Sequence, residues 1–197
     1  MIGELAPPAT LPALTLHQPW ASAMSLGLKS VETRDWGSQP NVGRWLAIHA
    51  AKRVDEDEER DVVERVAAVI ERRVLAGEDL QAQAEAWRAL LQPHAMPRGA
   101  VLAVGLLKRC LPTRDLFPKP VEASLGNYGP GRVGWCFAPI VALEAPQPAS
   151  GKQGLWRWEP EDPAALPREC WRPPRAEGPP PPAKPRQCAF DFGRPAK

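Results

Sequence analysis

Apolar positions along this chain follow two different periods. Leu14–Leu16, Val31–Arg34 and Arg44–Ala50, the last with Leu46 and Ile48, read as short extended segments. Pro19 suits the first turn of a short helix that closes at Gly27. From Asp55 the spacing changes. Val62, Val63, Val66, Val69, Ile70 and Val74 recur three or four apart and share one helical face. The acidic run Asp55–Glu59 opens that helix and Arg72 and Arg73 lie near its end, the arrangement a helix dipole favours, and Gly77 stops it. A second helix is predicted from Asp79, carrying Leu80, Ala84, Trp87 and Leu91 on one side and ending before Pro93. The two make a helical hairpin at about 55–92, inserted among strands.

Beyond it, Ala100–Leu111 and Arg132–Leu143 are continuous apolar runs that read as long buried strands, with Pro139 marking a break or bulge in the second. Leu125–Gly131 is a glycine-rich turn around Tyr128, and Leu155–Glu159 supplies a short last strand. The pattern predicts an α+β domain over 13–160, behind a loose leader at 1–12 that contains Pro7, Pro8 and Pro12. After about residue 160 prolines crowd the chain and Lys and Arg outnumber Asp and Glu. Residues 161–197 therefore read as a basic, extended, disordered tail, able to add sequence-independent attraction to phosphate.

Composition changes this picture little. A length of 197 residues with 44% hydrophobic content fits one domain with a real core. The formal net charge of +2 does not by itself demand nucleic acid, so any such binding must come from local patches. No basic start followed by an apolar core marks a secretory signal, and no apolar run approaches the roughly 20 residues that span a bilayer. The chain reads as soluble and cytoplasmic, with no membrane partner. The four cysteines Cys110, Cys136, Cys170 and Cys188 form no C-x-x-C pair and have no histidine at metal-ligand spacing. No metal or cofactor is implied.

Candidate chemistry concentrates between Leu14 and Arg53. Lys29, Glu32 and Arg34 follow Gly27 at the spacing G-x-K-x-x-E-x-R, and on a strand Glu32 and Arg34 point to one side. With Trp20 and Trp36 nearby, these charges suggest a recognition pocket. An ion-pair cluster bracing the fold is the alternative. Lysine beside aromatic and apolar groups is also a candidate base or nucleophile, although Glu32 opposes that by stabilising the charged ammonium. Trp20 and Trp36 are candidate stacking surfaces, whereas Trp45, Trp135 and Trp156 read as core. His17 and His49 flank the region, Lys52 and Arg53 form a small basic cluster for phosphate, and Tyr128 is placed to close over a ligand.

Several ordered motifs carry a family resemblance. His17–Trp20 (HQPW), the Gly27–Arg34 motif, Trp45–Ala50 (WLAIHA) with Lys52, Leu125–Phe137 (LGNYGPGRVGWCF) and Lys152–Trp158 (KQGLWRW) closely resemble the activating signal cointegrator homology (ASCH) domain over about 11–160. The resemblance implies a PUA-like β-barrel with a cleft for RNA, another nucleic acid or a modified nucleoside. The residues expected to line it are Trp20, Lys29, Glu32, Arg34, Trp36, His49, Lys52 and Tyr128. Small relatives in the wider family remove the acetyl group from N(4)-acetylcytidine, which makes a hydrolase acting through Lys29 the alternative. Those enzymes carry threonine three residues after the lysine, whereas this chain has Glu32, as in the larger nucleic-acid-binding branch.

Other enzyme signatures are missing. The sequence contains no G-x-x-x-x-G-K-S/T phosphate loop, no G-x-S-x-G elbow and no H-E-x-x-H pair. At the far end, Gln187, Phe190 and Phe192 follow a proline-rich spacer and loosely resemble the peptides with which bacterial replication and repair proteins dock on the sliding clamp. Cys188 stands where those peptides usually carry a hydrophobic residue.

Overall fold

The computed structural model describes residues 5–92 and 94–171. Among these residues six strands and four α-helices follow one another: β1 (Leu11–Leu16), α1 (Trp20–Ser25), β2 (Val31–Arg34), β3 (Trp45–Ala50), α2 (Glu56–Leu75), α3 (Gln81–Ala89), β4 (Ala100–Pro112), α4 (Pro120–Ser124), β5 (Val133–Pro148) and β6 (Leu155–Trp158). They form one mixed sheet in the order β2-β5-β4-β3-β1-β6. β1 and β3 run parallel, aligned from Ala13 opposite Ala47 to Leu16 opposite Ala50, and the other neighbouring pairs are antiparallel.

The sheet is open. A closed barrel would require β2 to pair with β6, and these four-residue strands are instead the two edges. At β2 the reason is local. Phe137 N–H donates to the Ser30 carbonyl, so the alternation of an antiparallel ladder turns the backbone groups of Val31 and Thr33 away from β5. Side chains occupy them: Glu122 accepts from Val31 N–H at 3.2 Å, Lys29 donates to the Val31 carbonyl at 2.6 Å, and Arg132 donates to the Thr33 carbonyl at 2.9 Å. These side chains cover much of the edge that a further strand would use.

Both faces of the sheet are covered, which explains why every residue of β3 is buried. One face packs Leu14, Leu16, Leu46, Ile48, Leu107, Trp135 and Phe137 against Ala21 and Met24 of α1. The other packs Leu11, Ala13, Trp45, Val101, Val104 and Trp158 against Leu166 and Cys170. Two short turns at Pro163–Ala165 and Arg168–Cys170 place those last two residues, which are only 2% and 1% exposed. Packing thus continues past residue 160, where the sequence suggested that a tail begins. At the other end β1 starts at Leu11, inside the expected leader.

The helical hairpin lies where the periodicity placed it. Asp55 caps α2 by accepting from Glu58 N–H, and buried Val62, Val63, Val66 and Ile70 face α3 and α4. Trp87 of α3 is fully buried in this cluster and donates its indole N–H to the Val63 carbonyl at 2.9 Å. Leu28, Val121 and Leu125 belong to the same cluster, so the hairpin packs beneath the segments that flank β2. In β5, Pro139 sits beyond the reach of β2, which pairs only with Val133–Cys136, and the β4–β5 register slips just there, between Gly105 and Leu107.

Candidate ligand cleft

The G-x-K-x-x-E-x-R motif crosses from the turn after α1 into β2. Gly27 adopts φ +72°, the left-handed conformation that favours glycine. Two residues later the Lys29 side chain is buried, 1% exposed. Its Nζ donates to the Val31 carbonyl at 2.6 Å and the Leu125 carbonyl at 2.9 Å, and lies 3.3 Å from Oε2 of Glu32. Two carbonyls thus accept from Nζ and one carboxylate pairs with it. The other Glu32 oxygen, Oε1, lies 3.0 Å from Nε of Arg34, whose Nη2 reaches back to the Thr15 carbonyl at 3.1 Å. Glu32 and Arg34 share one side of the strand, as alternation predicts, while Thr33 on the opposite side is buried.

Around this ion-pair chain lies a cleft of about 310 Å³. Trp20, Lys29, Glu32 and Thr33 line one part, and Ser124, Leu125, Gly126, Asn127 and Arg132 another, with Arg65 of α2 completing it. Trp20 is half-buried and packs against the hairpin cluster, so its position is fixed from below. Asn127 is anchored twice, by its N–H on Thr33 Oγ1 at 3.0 Å and by its side-chain oxygen on Gly129 N–H at 2.9 Å. The volume lies at the small end of the range for ligand sites, about 300–1,000 Å³, suited to a single base or nucleoside.

Other expected site residues lie elsewhere. Arg34 braces Glu32 without lining the cleft. Trp36 is 37% exposed and sits edge-on to Trp135 with ring centroids 4.6 Å apart, while its carbonyl accepts the Trp135 indole N–H. Tyr128 turns to the other side of its loop, 3.3 Å from Glu122, and lines a separate, larger groove. Burial and the neighbouring Glu122 push its phenol far above the ordinary range, so it is a neutral hydrogen-bond donor. The Lys52 chain lies across Gly99, where an added Cβ would meet it at 2.6 Å.

His49 is 1% exposed on β3, edge-on to Trp156 at 5.5 Å and 3.2 Å from the Ala149 carbonyl through Nε2. It packs within the fold and does not line the Trp20–Glu32 cleft. Burial pushes its pKa below the ordinary 6.5, the Ala149 contact opposes this, and Lys52 adds to the lowering. The unfolded chain therefore takes up this proton first as pH falls. Stability is fully present above about 6.5 and declines from there down to the folded pKa. Denaturant midpoints of the parent protein should fall more between pH 7 and pH 5 than those of His49→Gln. Equal declines would show that His49 contributes nothing to acid sensitivity.

Sequence reasoning missed Arg65, Asn127 and Arg132. It also missed Glu122, whose carboxylate accepts from Ser30 N–H, Ser30 Oγ and Val31 N–H and so fixes the start of β2. Among the described residues no group of three or more His, Cys, Asp or Glu side chains is placed to hold a metal, and no helix is long and apolar enough to cross a membrane. Cys110 and Cys136 are free thiols, and burial pushes both above the ordinary thiol range, away from thiolate chemistry, while Cys170 Sγ donates to the Pro167 carbonyl at 2.9 Å. Cys188 and the Gln187, Phe190 and Phe192 peptide lie outside the described residues. Comparison with models of known protein families and with curated proteins finds no match to the chain.

Proposed function

We propose that this chain is an ASCH-like domain, a PUA-like architecture whose sheet stays open, and that it binds RNA, another nucleic acid or a modified nucleoside in the Trp20–Glu32 cleft. The observation that carries this reading is the meeting of an indole, a braced carboxylate and two guanidinium groups around one base-sized cavity. Trp20 offers a face for stacking, Glu32 accepts from an exocyclic amino group, and Arg65 and Arg132 attract phosphate. Binding is favoured over turnover because Lys29 is almost fully buried and its Nζ is committed to two backbone carbonyls and to the Glu32 carboxylate.

Fluorescence anisotropy with labelled short RNAs tests this. Trp20→Ala should weaken binding by about 1–3 kcal/mol, roughly fivefold to a hundredfold or more. Glu32→Gln should shift the preference among bases, while Lys52→Ala and His49→Gln should leave affinity unchanged. Incubation with N(4)-acetylcytidine should yield no deacetylated product. Failure of the parent protein to bind any oligonucleotide or nucleoside near 0.1 M salt would remove the reading, and turnover would replace it with the hydrolase.

A further inference from the structure

On the other side of β2 and the 120–128 segment lies a groove of about 1020 Å³, with Val31, Glu122 and Tyr128 in its wall. Three features distinguish it from ordinary surface. First, Lys108 and Arg109 are consecutive on β4 yet both exposed and both in the groove lining. A regular strand would send them to opposite faces. The register slips between Leu107 and Arg109, and this bulge re-aims them. Second, Phe117 on the groove rim is 93% exposed. Its loop is nonetheless held, because Leu116 packs against Gly134 and its N–H bonds the Thr113 carbonyl, while Thr113 Oγ1 donates to the Gly129 carbonyl. Third, the acids of the groove are already engaged: Glu78 with Arg73, Asp115 with Arg114 at 3.8 Å, and Glu122 with the backbone of Ser30 and Val31. Lys108 and Arg109 have no ion-pair partner among the described residues, so the uncommitted charge is positive.

We infer that this groove is a second binding site, a track for single-stranded nucleic acid that carries on across β2 from the base held in the cleft. Phosphates would lie along Lys108, Arg109 and Lys119, and a base would stack on Phe117. The class of ligand rests on the nucleic-acid reading of the cleft.

The test uses two labelled RNA probes, a trinucleotide and a dodecamer, with the full chain. Lys108→Ala/Arg109→Ala and, separately, Phe117→Ala alter only exposed side chains. Each should weaken the dodecamer about fivefold or more and leave the trinucleotide unchanged. The double variant should also flatten the dependence of log K on log salt by about 1.4, the counterions of two phosphates. Unchanged dodecamer binding, with both probes still weakened by Trp20→Ala, overturns the track and leaves the cleft standing. Weakening by the groove variants with no effect of Trp20→Ala supports the track and removes the cleft. Displacement of the dodecamer by hexaglutamate at equal concentration makes the groove an acidic-peptide site and overturns the inference, as does failure of either probe to bind.

Discussion

Lys29→Met should lower the free energy of unfolding by about 3 kcal/mol, because it strands a carboxylate and two carbonyls that the ammonium now satisfies. Removing one partner of a buried pair costs more than the pair contributes, since the remaining charge has lost its compensation. Glu32 keeps a little contact with solvent, at 12% side-chain exposure, which holds the effect toward the lower end of the range for buried pairs. Urea melts give the measurement. The double variant Lys29→Met/Glu32→Gln should recover part of the loss, with a coupling energy of about 0.5–3 kcal/mol. A single variant within about 0.5 kcal/mol of the parent would mean that the ammonium is not what secures the β2 edge. Loss of nucleic-acid binding in Lys29→Ala is ambiguous for the same reason: it would report a disturbed edge as readily as a missing contact.

The second large effect is expected at Trp87. Trp87→Ala should destabilise the protein by about 3–5 kcal/mol, since it empties the centre of the hairpin cluster and deletes the bond to the Val63 carbonyl. Trp87→Phe should cost less, since it restores most of the volume. The functional consequence is specific. Trp20 packs on this cluster, and Arg65 projects from the helix that Trp87 holds, so the alanine variant should weaken RNA binding under conditions where it is still folded. Thermal melts followed by circular dichroism, alongside anisotropy, separate the two losses. A melting temperature equal to the parent's would show that the hairpin is not held through this indole.

What could be read from the sequence follows from which forces act locally. The apolar period placed α2 and α3 well, because a helix face repeats within a few residues and Asp55 and Gly77 mark its ends. The side shared by Glu32 and Arg34 was legible for the same reason, strand alternation. Sheet closure was not, because it depends on what meets the outer edge of β2, and Glu122 and Arg132 come from segments far along the chain. Arg65 had no signal of its own: an exposed arginine on an amphipathic helix looks like a solubilising residue until the helix is docked. His49 and Tyr128 were drawn into the expected site by nearness to its motifs, yet β3 buries the first and the 120–128 loop turns the second toward the other groove. Leu166 and Cys170 were hidden by the prolines around them, which forbid ladders but leave a short turn free to place one apolar side chain.

The place of β2 at the sheet edge also sets an order of events during synthesis. The Lys29 ammonium reaches the Leu125 carbonyl across 96 residues, and Arg132 reaches Thr33 across 99. β1 and β3 can pair soon after residue 50 emerges from the ribosome, but β2, though it lies between them in sequence, has no partner strand until β5 appears. Contacts this distant are slow to close and come late in folding. The cleft therefore takes shape only once β5 has been made, and a chain released before residue 133 would carry the whole recognition motif without the strand that organises it.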